Sequence, residues 1–292
     1  MAKAKVLLNR RKSVRNTKKI TRTMEMVSTA KYKQSFVRIS NSAPYQAKLR
    51  EMMSDLSSVG GEITHPLLES RPVKRTLILL ITSNRGLCGG YNSNLNATAR
   101  RWIESAGASG AEIELQVVGK KGIQYFRHRK QTMTKQYDHF GDRPTYADVN
   151  KLAEEYIARY SKGHLDQVVV VYQKFLSAGR QVPVAEVVLP LTGLETAAPA
   201  AQTKSGAANY IFSPDPESLM RELLPAYFKT TLYNDFLQAA VGEHLARMVA
   251  MKNATDAANK FIKSLTRQYN RARQSQITNE IAELMGGVEA LK

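Results

Sequence analysis

The sequence predicts an α/β fold in which two long terminal helices pair antiparallel as a coiled coil around a central α/β domain. Three observations predict it. From Ala226 to the end, 67 residues contain no proline, enough for a helix on the order of 90 Å at 1.5 Å per residue. The first sixty residues carry helical spacing with one internal breaker, Pro44. Between these ends, short apolar runs alternate with helical segments, the pattern of a mostly parallel sheet covered by helices.

The first helix spans 1–59. Val14, Thr17, Ile20, Met24, Val27 and Ala30 recur at steps of three or four, the narrow stripe of a helix that meets another helix. Asn41 and Ser42 before Pro44 predict a kink or restart. Gly60 and Gly61, then Pro66 and Pro72, end the element.

The α/β domain covers 75–191. TLILLI (76–81) is an uninterrupted apolar run, as in a strand buried on both faces. A glycine-rich loop follows, then a helix over 93–105, a strand over 112–119, a helix over 121–129, a short strand near 132–137 and a helix over 146–160. DQVVVVYQKF (166–175) is another buried strand, and QVPVAEVVLPL (181–191) an edge strand because of its prolines. Residues 192–206 form a loose loop. The last helix, 213–287, opens at SPDPESL with Ser213 or Asp215 as its cap and a proline in the first turn. Ala250, Ala254 and Ala257, continued by Phe261, Leu265, Tyr269 and Ala272, form its lane toward the first helix. The alternative is that each terminal helix lies separately on the α/β domain.

Charge narrows the partners. The chain carries a formal +18, and residues 1–50 hold 14 Lys or Arg against the single acid Glu25. So positive a rod attracts polyanions: nucleic acid, anionic lipid or a carboxylate-rich protein surface. Aromatic interleaving, which nucleic-acid binding favours, is sparse there: Tyr32, Phe36 and Tyr45. One cysteine, Cys88, permits no internal disulfide and suits a reducing compartment. No apolar run reaches the length of a bilayer span, and the basic start contains only VLL as an apolar stretch, so a mature cytosolic chain is expected.

The search for chemistry yields no catalytic, cofactor-binding or metal-binding constellation. ITSNRGLCGGYNSN (81–94) follows a strand and precedes a helix, but Gly86, Gly89 and Gly90 have neither the spacing nor the lysine of a phosphate loop, and GxGxxG is absent. No histidine neighbours Cys88 in sequence, and the five histidines lack ligand spacing.

Three blocks resemble the gamma-subunit family of F-type ATP synthases: SVRNTKKITRTMEMVSTAK (13–31), ITSNRGLCGGYNSN (81–94) and EHLARMVAMKNATDAANKFIKSLTRQYNRARQSQITNEIAELMGG (243–287). The resemblance covers the whole chain, and the last block is its most specific part. It implies a Rossmann-like domain at the foot of the coiled coil, and a rotor shaft that carries torque from a proton-driven c ring to catalytic beta subunits while regulating ATPase activity and proton flow. It implies partners too: a ring of alpha and beta subunits around the shaft, the epsilon subunit and the c ring, with no nucleic acid. The chain would catalyse nothing itself and would sit at the cytoplasmic side of a bacterial inner membrane, attached through the complex alone.

Residue by residue, the resemblance assigns subunit contacts to Met24, Arg247, Gln274, Thr278 and Glu280. Leu284, Val288 and Leu291 would form an apolar bearing at the tip. The shaft exterior is expected to be mostly polar. VLLNRR (6–11), Asn84 and Val288 depart from the family pattern, and the cysteine pair of a thiol switch is missing. A nucleic-acid-binding coiled coil and a nucleotide-using α/β enzyme are the competing readings. Salt-sensitive RNA or DNA binding would favour the first, and saturable ATP binding by the isolated chain the second.

Overall fold

The computed structural model describes residues 2–59, 65–191 and 215–289; the Ser213 cap, the 192–206 loop, the glycine pair at 60–61 and Leu291 lie outside them. The described residues form helices α1 (Ala2–Val59), α2 (Tyr91–Ala108), α3 (Lys120–His128), α4 (Tyr146–Ser161) and α5 (Pro216–Glu289). The strands are β1 (Arg75–Ile81), β2 (Glu112–Val118), β3 (Lys135–Tyr137), β4 (Gln167–Ser177) and β5 (Arg180–Leu189). Two compact units result, one of residues 1–30 with 247–292 and one of 31–246, and both long helices contribute to each.

Within the larger unit the sheet order is β3-β2-β1-β4-β5. The first four strands run parallel, and β5 returns antiparallel to β4 as the edge that its prolines predict. The unbroken apolar run of β1 is buried on both faces. Leu77, Leu79 and Ile81 join a core with α4 and the long helices, whereas Ile78 and Leu80 face α2 and α3.

Capping residues set two helix starts. Thr145 accepts the amide of Asp148 at the head of α4, and Asp215 accepts the Ser218 amide at 2.9 Å at the head of α5. Of the two caps offered for the last helix, Asp215 is therefore one in use.

The restart offered at Pro44 does not occur: α1 continues through the proline as one helix. Pro44 faces solvent, where the carbonyl it leaves without an amide can take water. On the opposite face, side-chain bonds one residue pair either side of the proline hold the helix: Ser42 donates to Asn234 at 2.7 Å, and Asn234 donates to Gln46 at 2.6 Å.

Candidate functional site

Among the described residues, the helix pairing and the anchorage of the long helices bear on function. The pairing is antiparallel. In the larger unit α1 residues 42, 46 and 50 meet α5 residues 234, 231 and 227 in turn. In the smaller unit Arg11 lies over the Tyr269 ring at 4.9 Å, and Thr21 accepts from the Thr255 hydroxyl at 2.9 Å.

The seam is polar and small. Thr21, Ser28, Thr255 and Ala258 are buried beside Met251 and Leu265. Thr21 passes its own proton to the Lys18 carbonyl at 3.1 Å, so both hydroxyls of the Thr21–Thr255 pair are satisfied.

This corrects the apolar stripe expected on α1. Val14 and Met24 are half-buried, but Thr17, Ile20, Val27 and Ala30 are exposed. On α5, Leu265 is buried and Tyr269, Ala250, Ala254 and Ala272 half-buried, while Ala257 and Phe261 are exposed. The seam follows a seven-residue repeat of Thr21, Ser28, Ser35, Leu49 and Leu56, all buried. Counting only apolar residues places the stripe one position away.

The exterior is accordingly less polar than expected. Ile20 is 61 % exposed, Phe261 64 %, Leu284 71 % and Met285 69 %, with Met26, Val27 and Val249 also outward.

The five residues assigned as subunit contacts, and Leu284 and Val288 of the expected bearing, lie on the smaller unit. Gln274, Thr278, Glu280, Leu284 and Val288 are exposed, and Met24 is half-buried. Thr278 donates to the Gln274 carbonyl at 3.0 Å, and Glu280 accepts from Gln276 at 2.8 Å. Arg247 differs from the rest because it is buried at 7 % exposure. From 277 to 288 every residue is exposed, and Ile277, Ile281, Leu284, Met285 and Val288 recur at helical spacing on one face.

The glycine-rich loop after β1 is a packing device. At the head of α3 the amide of Lys120 is taken by the Asn84 side chain at 3.0 Å and that of Gly122 by the Thr82 hydroxyl at 3.0 Å, so these donors are already engaged. Tyr91 is buried and donates its hydroxyl to the Ala239 carbonyl of α5 at 3.1 Å. A Cβ on Gly242 would stand 2.8 Å from Gln173 Cγ, so α5 crosses β4 at a distance that only glycine permits without adjustment. Through these contacts the loop and β4 seat the long helix on the sheet.

Asp235 on α5 is buried against the same sheet. Burial first, and the Glu186 carboxylate of β5 second, push it well above the usual carboxylate range, while Tyr172 and Lys174 of β4 act in the opposite direction. Glu186 itself accepts from Tyr172 at 2.7 Å and pairs with Lys174 at 2.6 Å. The helix thus carries into the core an acid that holds its proton more tightly than an exposed carboxyl does. Sequence reading missed this cluster because its members come from three separate elements.

Comparison with known proteins gives a consistent result. A family model described as ATP synthase matches residues 3–291. The chain is 44% identical over 295 residues to the ATP synthase gamma chain of Rhodopirellula baltica, and 40% identical over 292 residues to that of Leptospira biflexa; each alignment covers 100% of both chains. Among solved structures, it resembles in fold a chain of the Euglena gracilis mitochondrial ATP synthase rotor, with a TM-score of 0.63 at 16% identity, covering 94% of this chain and 99% of that one. A chain of the OSCP/F1/c-ring assembly of the same enzyme gives 0.65 at 17% identity, covering 99% and 95%.

Proposed function

Because this chain belongs to the ATP synthase gamma-chain family, we propose that it is the central-stalk rotor subunit of an F-type ATP synthase. It carries torque between the proton-driven c ring and the catalytic beta subunits, and in doing so governs ATP synthesis, ATP hydrolysis and proton flow. Its partners are the alpha and beta subunits, the epsilon subunit and the c ring. It makes no bond itself; catalysis belongs to the ring it turns in. It works at the cytoplasmic side of a bacterial inner membrane, held there through the complex; among the described residues no helix is long and apolar enough to cross a membrane.

The observation that carries the mechanical reading is the inverted distribution of polarity on the paired helices. Thr21, Ser28 and Thr255 take buried seam positions beside Met251, Ala258 and Leu265, while Ile20, Met26, Val27, Phe261 and the 277–288 face point outward. A pair of helices that only had to find each other would bury those side chains. A shaft enclosed by other subunits uses them as contacts, and the lysines and arginines of 1–30 add long-range attraction to acidic loops.

In this reading 1–59 and 213–287 form the shaft and 75–191 the Rossmann-like foot. Met24, Gln274, Thr278 and Glu280 touch the catalytic ring along the shaft, and Leu284 and Val288 belong to an apolar bearing at the tip. Arg247 contributes to the same coupling from a buried position, by fixing the helix that carries the contacts.

Reconstitution tests this directly. Mixed with alpha and beta subunits of a close relative, the chain should enter a complex whose ATPase activity depends on it. Failure to associate, or ATPase activity indifferent to the chain, would contradict the proposal.

A further inference from the structure

We infer that the loop 138–144 is a clamp that ties the α/β foot to helix α1, and that its Asp142–Lys31 ion pair is a positioning element for torque transfer; this rests on the rotor reading above. The loop is fastened at four places. Asn84, in the loop after β1, donates to the carbonyls of Asp138 at 3.3 Å and Phe140 at 3.0 Å. The Phe140 ring is buried and stacks at 4.8 Å on Phe236 of α5. Asp142 pairs with Lys31, and Arg143 donates to Gln34, both on α1. One short loop therefore touches the sheet and both long helices.

The two helices are gripped by different chemistry. On α5, Leu224, Phe228, Leu232 and Phe236 lie in the apolar core, which resists sliding and twisting together. On α1, Leu49, Met53 and Leu56 play that part near its end. From Lys31 to Arg38 the helix instead meets the foot through the loop's polar contacts and through Phe36, edge-on to Phe175 at 5.7 Å. An off-axis polar contact at Lys31 opposes rotation of α1 about its own axis. Without it, α1 could yield between residue 31 and the contacts that begin at Ser42 with Asn234 while α5 turned.

The pair is built to persist. Burial of Asp142 opposes its ionisation, yet the hydrogen bond and charge of Lys31 outweigh that, aided by His244 and Arg85, and hold the carboxyl below its usual range. The side chains are 33% and 24% exposed, so solvent screens the pair less than a surface ion pair.

The test uses the complete complex in vesicles and reads protons pumped per ATP hydrolysed. Lys31→Glu or Asp142→Lys alone should lower that ratio by about fivefold while ATP hydrolysis continues, and the combined exchange should restore it. Should a charge reversal prevent assembly, Lys31→Met and Asp142→Asn make the same test, with their double variant no worse than either single. A wild-type ratio in the single variants, or an exchange that restores nothing, would overturn the clamp. Loss of chain-dependent ATPase activity in the unaltered protein would instead overturn the rotor reading, so the two failures are distinct.

Discussion

Replacing Thr21 by Val removes the acceptor of the Thr255 hydroxyl bond across the seam of the smaller unit. Thr255 is not stranded by this, because its proton can return to the Met251 carbonyl 2.8 Å away. The loss is thus the net value of one hydrogen bond, about 1 kcal/mol. Thr255→Val costs a similar amount, since Thr21 still donates to Lys18. The hydroxyl bonds to the helices' own carbonyls at Lys18 and Met251 add little net stability, because those carbonyls already serve the helix ladder; the double variant therefore loses only the bond between the helices, once, and should lie within about 1 kcal/mol of the parent, with a coupling of about 1 kcal/mol between the sites. Amide hydrogen exchange at residues 21–28 and 251–258 reads the effect locally. Each single change should speed exchange about fivefold, and the double change no more than either single one. Additive effects, a loss of protection of about twenty-five-fold in the double variant, would mean that Thr21 and Thr255 do not meet, and the antiparallel register would be wrong.

Three further outcomes follow from the packing. Gly119→Ala places a Cβ 2.2 Å from the Thr82 carbonyl oxygen at a φ of +94, so a loss of more than about 3 kcal/mol is expected in denaturant unfolding, and a parent-like midpoint would count against the β1–α3 contact. Asp235 is protonated in the fold above the pH at which it ionises in the unfolded chain, so the folded state holds the extra proton and stability falls as pH rises from the unfolded toward the folded value. Asp235→Asn should therefore melt higher than the parent at pH 8, with the advantage shrinking toward pH 4; equal pH profiles would remove the buried acid from the account. Combined Ile281→Gln, Leu284→Gln and Val288→Gln changes should leave the melting of the isolated chain within about 0.5 kcal/mol, because the side chains are exposed, and weaken assembly with alpha and beta subunits by at least about tenfold. Unweakened assembly would exclude this face from the bearing.

The α/β portion of the fold is legible from sequence because its signals are local. A strand buried on both faces needs an unbroken apolar run, and TLILLI and VVVVY supply it; prolines mark β5 as an edge. The seam of the long helices is hidden because its chemistry is inverted. Thr21, Ser28, Ser35, Ser42, Leu49 and Leu56 stand seven apart, and a reader who admits small hydroxyl residues to a heptad finds the lane at once. A reader who follows Ile20, Val27 and Phe261 finds the outward face. The side-chain bonds that flank Pro44 depend on Asn234, and the clamp on Asp142 and Lys31, partners more than a hundred residues apart that no local pattern connects.

Watching the foot turn tests the central claim most directly. With Cys88 replaced by Ala and a cysteine placed at exposed Ser109, a bead can be attached to the foot of a complex whose alpha and beta subunits are fixed to glass. Supplied with ATP, the bead should rotate continuously in one direction, and stop when ATP is withdrawn. A complex that hydrolyses ATP at an undiminished rate while the attached bead only fluctuates about a fixed angle would contradict the account.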